Sequence, residues 1–339
     1  MTAPAVAGDE GQSVGDSFPR LLRTPRSAWW RPILGLVLAA VSVVLAATML
    51  IVVAMLVAQA TGGPADASAD DALDPDTVLG LLTNNLVIAL LAPAAVLAVL
   101  VVHQERIGWL ASVTGRVRWG LLWRLLALAF VLVVVFFAAG FLLPSADEQD
   151  VSAPAAGTLL GLLAVILLTT PLQAAAEEVW FRGYLTQAVS SWVARPAAGI
   201  ATGAAVSAVS FALAHGAQDG WLFGDRLAFG LVASWLAWRT GGLEAPVALH
   251  VANNLVSLAF SAATGSLDES LSASTLDWQF AVLDVAMMLA FAFAVDRLVG
   301  RRWPAATRRV LSGPGAVGYP EQRPPTPPPA GREIPWGMG

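Results

Sequence analysis

Eight long apolar runs dominate the chain and restrict it to folds that a lipid bilayer can hold. They lie at about 33–60, 78–102, 119–143, 157–193, 198–216, 225–240, 244–263 and 278–299. A membrane helix needs roughly 17–25 predominantly apolar residues, and most of these runs meet or approach that length. The fourth is too long for one simple span, and the sixth is short. Of the 339 residues, 57% are hydrophobic and only 13% charged. Soluble domains carry about 25% charged residues, and a soluble fold could not cover this much apolar surface. The expected fold is all-α and polytopic, with about eight transmembrane helices.

Charge is sorted between the loops. All 19 basic residues are arginine. Arg20, Arg23, Arg26 and Arg31 precede the first run, and Arg106, Arg116 and Arg118 lie between the second and third. Arg195 follows the fourth run, Arg239 ends the sixth, and Arg297, Arg301, Arg302, Arg308 and Arg309 close the eighth. The alternate loops are acidic: Asp66, Asp70, Asp71, Asp74 and Asp76, then Asp147, Glu148 and Asp150, then Asp268, Glu269 and Asp277. This alternation fits the positive-inside rule with both termini cytoplasmic, and an odd number of spans would break it. Trp29, Trp30, Trp119, Trp123, Trp278 and Trp303 fit interfacial belts. The absence of cysteine excludes disulfides and thiolate metal sites. The first run exceeds the core of a cleaved signal peptide, so Ala58-Gln59-Ala60 reads as the end of a retained helix. Polar residues 1–26 and Pro-rich residues 313–339 read as disordered cytoplasmic tails around a membrane domain at 27–312.

Within this apolar background, three segments carry chemistry. Ionisable groups at membrane depth are costly and mark functional sites by default. Glu177, Glu178 and Arg182 place three charges in the fourth run; Phe211 and His215 lie in the fifth, and His250 and Asn254 in the seventh. Glu178 and Arg182 are four apart, share a helix face and can pair, leaving Glu177 for another task. If the fourth and fifth helices form a hairpin at Arg195-Pro196, Glu177 and His215 lie roughly 27–30 Å from its turn and are level. His250 lies roughly 12 Å above its own turn, so it joins them only if the hairpin projects about 15 Å beyond that turn. Little of the fifth helix then remains after His215, and 216–225 is expected to dip into the membrane as irregular backbone lining a cavity. A carboxylate, two imidazoles and an amide make a hydrolytic set. The glutamate can act as base on water. The histidines can orient that water, stabilise an oxyanion or bind a metal. The asparagine can donate to an oxyanion. No serine or cysteine nucleophile sits in these motifs.

The motifs E-E-x-x-x-R, F-x-x-x-H and H-x-x-x-N, in this order on successive membrane helices, resemble those of the CAAX-protease and bacteriocin-processing family of intramembrane endopeptidases. The resemblance covers about residues 157–263. It implies that Glu177 activates water, that His215 and His250 position water and the oxyanion, and that Asn254 assists them. Glu178 and Arg182 become a supporting ion pair, and Phe211 a packing residue. Family members have been described both as metalloproteases and as glutamate-dependent enzymes, and both readings stand here. A divalent metal such as zinc would take His215, His250 and Glu177.

The implied partners are membrane lipid and a membrane-associated peptide or protein, with no nucleic acid, and the composition suggests a bacterial cytoplasmic membrane. Two competing readings are a non-proteolytic immunity factor or regulatory scaffold of the same fold, and a proton-coupled transporter. Other polar residues have bland readings. His103 is interfacial, Asp284 solvated near the outer end of the eighth helix, and Arg124 a snorkelling side chain. Glu244 is favoured by the dipole in the first turn of the seventh helix. The first three helices carry no polar constellation and read as scaffold.

Overall fold

A computed structural model describes residues 17–62, 68–144 and 152–302, with side chains as far as Leu298. Asp66, Asp147, Glu148, Asp150, Trp303, Arg308 and Arg309 lie outside the described residues, as do the tail segments 1–16 and 313–339. Among the described residues, eight long helices carry the fold: α1 (Trp30–Ala60), α2 (Val78–His103), α3 (Trp119–Gly140), α4 (Ala156–Trp192), α5 (Pro196–Leu213), α6 (Gly220–Thr240), α7 (Glu244–Thr264) and α8 (Trp278–Arg302). Seven of them, all but α6, are long and apolar enough to cross a membrane, which makes this a multi-pass membrane protein. Asp225 and Arg226 near its start lower the apolarity of α6. It still runs the length of the bundle, packed between α5 and α8. Asp219, which caps its first turn, bonds to the Ser274 carbonyl before α8. Gly241 at its other end bonds to Val113, just before α3.

The fourth apolar run is one continuous 37-residue helix. It is α-helical to Glu178, π-helical over Val179–Leu185, then α-helical again. A π-turn widens the helix by one residue and leaves a carbonyl poorly served by the backbone, a feature that recurs at functional sites. Here the Phe181 carbonyl accepts from Thr186 Oγ1 at 2.9 Å and from Ser207 Oγ of α5 at 2.8 Å. The turn at Arg195-Pro196 then sends α5 back along α4. Gly199 and Gly203 let the two backbones touch: a Cβ at Gly203 would overlap Ser190 Oγ, as expected of small residues four apart between membrane helices.

The hairpin overhangs as its lengths demand. Gly183 sits level with the start of α7: a Cβ there would lie 3.4 Å from Leu243 Cδ1. Nine more residues carry α4 to Trp192, roughly 13 Å further at helical rise. The overhang is clasped by a segment read from sequence as part of a polar tail. Phe18, Arg20, Leu21 and Leu22 are buried. Arg20 donates to the carbonyls of Ser190, Val193 and Ala194, and Arg23 to those of Ser191 and Val193. These carbonyls lie at or just past the end of α4, where the helix's own N–H groups run out and Ser190 alone among them is also met by a backbone N–H, that of Val193, so the arginines cap α4. Burial, and then the neighbouring Arg23, pushes the Arg20 guanidinium below its usual value.

Several other expectations change. Residues 216–225 form no irregular dip; a short turn with Gly216 at φ +81° leads directly into α6. His103 ends α2 as expected but is buried, its Nε2 3.3 Å from the Tyr184 hydroxyl. Asp284 is half-buried, within electrostatic reach of Asp225 on α6. The first three helices do carry polar groups. Asn85 of α2 donates to Thr169 and Thr170 of α4, and Arg118 at the start of α3 binds Glu244 at the start of α7. The buried Glu244 is therefore held by an ion pair with the part-buried Arg118 as well as by its place in the first turn.

Candidate active site

The three sequence motifs meet where α4, α5, α6 and α7 converge. Glu178 Oε1 accepts from Arg182 Nη1 at 2.7 Å, the i,i+4 pair expected from spacing. The same oxygen lies 2.8 Å from His250 Nδ1. A carboxylate only accepts, so Nδ1 carries the hydrogen, and Glu178 sets the tautomer and ring orientation of His250. That leaves His250 Nε2 pointing to the neighbouring carboxylate, 3.5 Å from Glu177 Oε2. Glu177 Oε1 accepts from Gln173 Nε2 at 2.7 Å, and Gln173 Oε1 accepts from Asn254 Nδ2 at 3.3 Å. One network thus runs from Arg182 through Glu178, His250, Glu177 and Gln173 to Asn254. Its charged members are all buried, with Glu178 and Arg182 fully enclosed.

Aromatic rings wall the charged end. The Arg182 guanidinium carbon stands 4.5 Å from the Phe211 ring centre and 5.5 Å from that of Phe229. Rings attract a cation at these distances, more strongly when water is excluded. Phe211 and Phe229 stack at 5.3 Å, and Phe229 lies 4.9 Å edge-on to His250. Phe211 therefore does more than pack: it faces Arg182, His250 and His215 together.

His215 is brought to the right level but not into the network. Its Nδ1 lies 2.8 Å from the Phe211 carbonyl, which can only accept, so this nitrogen carries the hydrogen. Its ring packs on Phe211 at 4.7 Å, and the residue is exposed at the edge of the site. Among the described residues, no three histidine or carboxylate groups converge closely enough to hold a metal ion. In the set named for zinc, the Nδ1 contacts of His250 to Glu178 and of His215 to the Phe211 carbonyl leave both Nε2 atoms open, as in histidines that bind metals, but with Glu177 the three do not converge on one point in this arrangement. A cavity of about 180 Å³ lies elsewhere, between the ends of α4 and α7, lined by Asp76, Ser152, Leu162 and Gly265 among others. It contains none of these groups.

Sequence reasoning missed two participants, Gln173 and Phe229, and one link, that of Glu178 to His250. Gln173 was detectable, as an amide one helical turn before Glu177 in an apolar run. Phe229 and the link from Glu178 to His250 were not, since both depend on packing between distant segments.

Residues 156–256 match the family model described as type II CAAX prenyl endopeptidase Rce1-like. Over these residues the chain is similar to that family. The matched stretch runs from the first residue of α4 past Asn254, so it contains every member of the network. The chain is also 25% identical over 190 residues to the uncharacterized protein YyaK of Bacillus subtilis (strain 168). That match covers 55% of this chain and 62% of the relative, so the chain spans less than two thirds of the relative's length. No solved structure matches it.

Proposed function

We propose that this chain is an intramembrane endopeptidase of the Rce1-like type, acting in a bacterial cytoplasmic membrane with both termini cytoplasmic. The observation that carries the proposal is Glu177 Oε2: a buried carboxylate oxygen with no hydrogen-bond partner, facing His250 Nε2. A base that must take a proton from water needs an oxygen not already committed elsewhere. In this reading Glu177 Oε2 removes a proton from water, and the water oxygen adds to the peptide carbonyl of a membrane-associated substrate. The tetrahedral species then loses its amine, which receives the proton from Glu177. His250, held by Glu178, binds the water through Nε2 or, when protonated, donates to the oxyanion. His215, with its hydrogen on Nδ1, offers Nε2 as an acceptor that orients the water. These steps use side chains of the chain alone.

The test uses full-length protein in liposomes with an internally quenched farnesylated CAAX peptide, the prenylated C-terminal motif in the family's description. It is paired with a comparison of membrane peptides from cells carrying wild-type or Glu177→Gln protein. Glu177-dependent cleavage supports the proposal. Identical products from wild-type and Glu177→Gln protein in both assays refute it.

A further inference from the structure

We infer that Gln173 is a positioning residue for Glu177 and that Asn254 acts through it, so that the two amides select the carboxylate oxygen that works as the base. The inference rests on the proteolytic reading of this site. Gln173 belongs to none of the three motifs, yet it is 6% exposed and one helical turn before Glu177. The two amide orientations, which shape alone leaves ambiguous, follow here from one charge. Because a carboxylate only accepts, the group 2.7 Å from Glu177 Oε1 is Gln173 Nε2. Gln173 then turns its acceptor to α7, and Asn254 meets it with Nδ2.

The consequence falls on Glu177. The terminal torsion of a glutamate is broad, so an unrestrained carboxylate swings easily. Gln173 ties down Oε1 and leaves Oε2 free beside His250 Nε2. A neutral amide does this without cancelling the charge that makes Glu177 a base, which an arginine or lysine at the same place would do. Asn254 is four residues after His250 on α7, so the helix that carries the histidine also locks the glutamine that orients the glutamate. In this role Asn254 holds Gln173 through Nδ2; the reading from sequence had it donate to the oxyanion.

The experiment measures cleavage of the farnesylated CAAX peptide by full-length variants in liposomes. Gln173→Leu keeps the size and removes the amide, and kcat is expected to fall on the order of 10- to 100-fold with KM unchanged, as for a misplaced catalytic group. Gln173→Glu donates only when protonated, so its activity is expected to recover toward low pH, a signature that a packing defect does not give. This recovery is readable whether or not the leucine variant inserts. Residues acting through one another are non-additive. Gln173→Leu combined with Asn254→Ala should therefore lose no more than Gln173→Leu alone. Wild-type kcat in Gln173→Leu, with Glu177→Gln inactive, overturns the inference and leaves the proteolytic reading standing. Additive losses in the double variant overturn the role of Asn254. Equal cleavage by wild-type and Glu177→Gln protein overturns the reading itself, and this inference with it.

Discussion

Two arginine–glutamate pairs with buried carboxylates sit in this membrane domain, and they are built differently. Arg118 and Glu244 join α3 to α7 by a saturated fork: Nε to Oε1 at 2.9 Å and Nη2 to Oε2 at 2.6 Å. The Arg118 backbone N–H adds a third bond to Glu244, and Nη1 donates to the Thr240 carbonyl. Arg182 and Glu178 share one bond and leave capacity over. Arg182 Nε and Nη2, Glu178 Oε2 and Glu177 Oε2 account for half of the buried side-chain polar atoms without a partner among the described residues. Buried polar groups are normally satisfied, and an exception calls for a reason. A bridge that only holds helices together has no use for unsatisfied atoms. Three of these atoms belong to the fully enclosed Glu178 and Arg182, and the fourth, Glu177 Oε2, is the oxygen that the proposed mechanism uses as its base. The aromatic faces around Arg182 make the difference tolerable by taking part of its charge in place of oxygen acceptors.

Variants at the two pairs should therefore behave differently. The largest effects are expected from Glu177→Gln and His250→Ala, which should lower peptide cleavage by at least the roughly 10²–10⁴-fold that acid–base groups contribute. Both should still be expressed, and Glu177→Gln should keep a detergent melting temperature near wild type. Glu178→Gln should damage activity and stability together. It leaves Arg182 as an unpaired buried charge, worth about 3–5 kcal/mol, and releases His250 from its tautomer. Melting and kinetics on the same sample check this.

At the saturated pair, Arg118→Met, which strands the buried Glu244 carboxylate, should cost about 3–5 kcal/mol, Glu244→Leu less because Arg118 reaches water, and the double replacement should recover most of the loss. Residual activity should follow the melting temperature there, as it should not at Glu177. Arg182→Lys keeps the charge but loses the planar stacking, and a loss of about 0.5–2 kcal/mol is expected from melting curves. The smallest effect lies outside both pairs. Hydrogen bonds from the Ser68 backbone N–H and hydroxyl hold the exposed Asp71 carboxyl below its ordinary value. Its contribution to stability is thus present above the unfolded-state value and lost as pH falls through the folded one. In Asp71→Asn protein that acid-side slope should be shallower in a melting-temperature series against pH.

What could be seen in the sequence follows from distance along the chain. Glu178 and Arg182 are one helical turn apart, so helical periodicity alone pairs them. Level-matching by helical rise also worked across the α4–α5 hairpin, because two straight antiparallel helices keep their register. It anticipated an overhang of about 15 Å, close to the roughly 13 Å found. The bond from Glu178 to His250 spans 72 residues and three turns, and no local rule reaches that far. The π-turn was hidden for a related reason, since one of its two hydroxyl supports, Ser207, comes from another helix. The burial of Phe18–Leu22 was missed because charged and polar residues such as Ser17, Arg20, Arg23, Thr24 and Arg26 make that stretch look like a tail. Its arginines are used instead on helix-end carbonyls. His215 shows the limit of level-matching: height along the helix was right, but the rotation of the ring toward the Phe211 carbonyl was not visible from spacing.

The most direct test of the central claim is the cleavage of the farnesylated CAAX peptide by Glu177→Gln protein in liposomes, beside Glu244→Leu protein matched for the amount that remains folded. If the unsatisfied pair is the working site, Glu177→Gln is inactive at full stability, and Glu244→Leu is active in proportion to its folded fraction. Cleavage by Glu177→Gln at the wild-type rate would contradict the account.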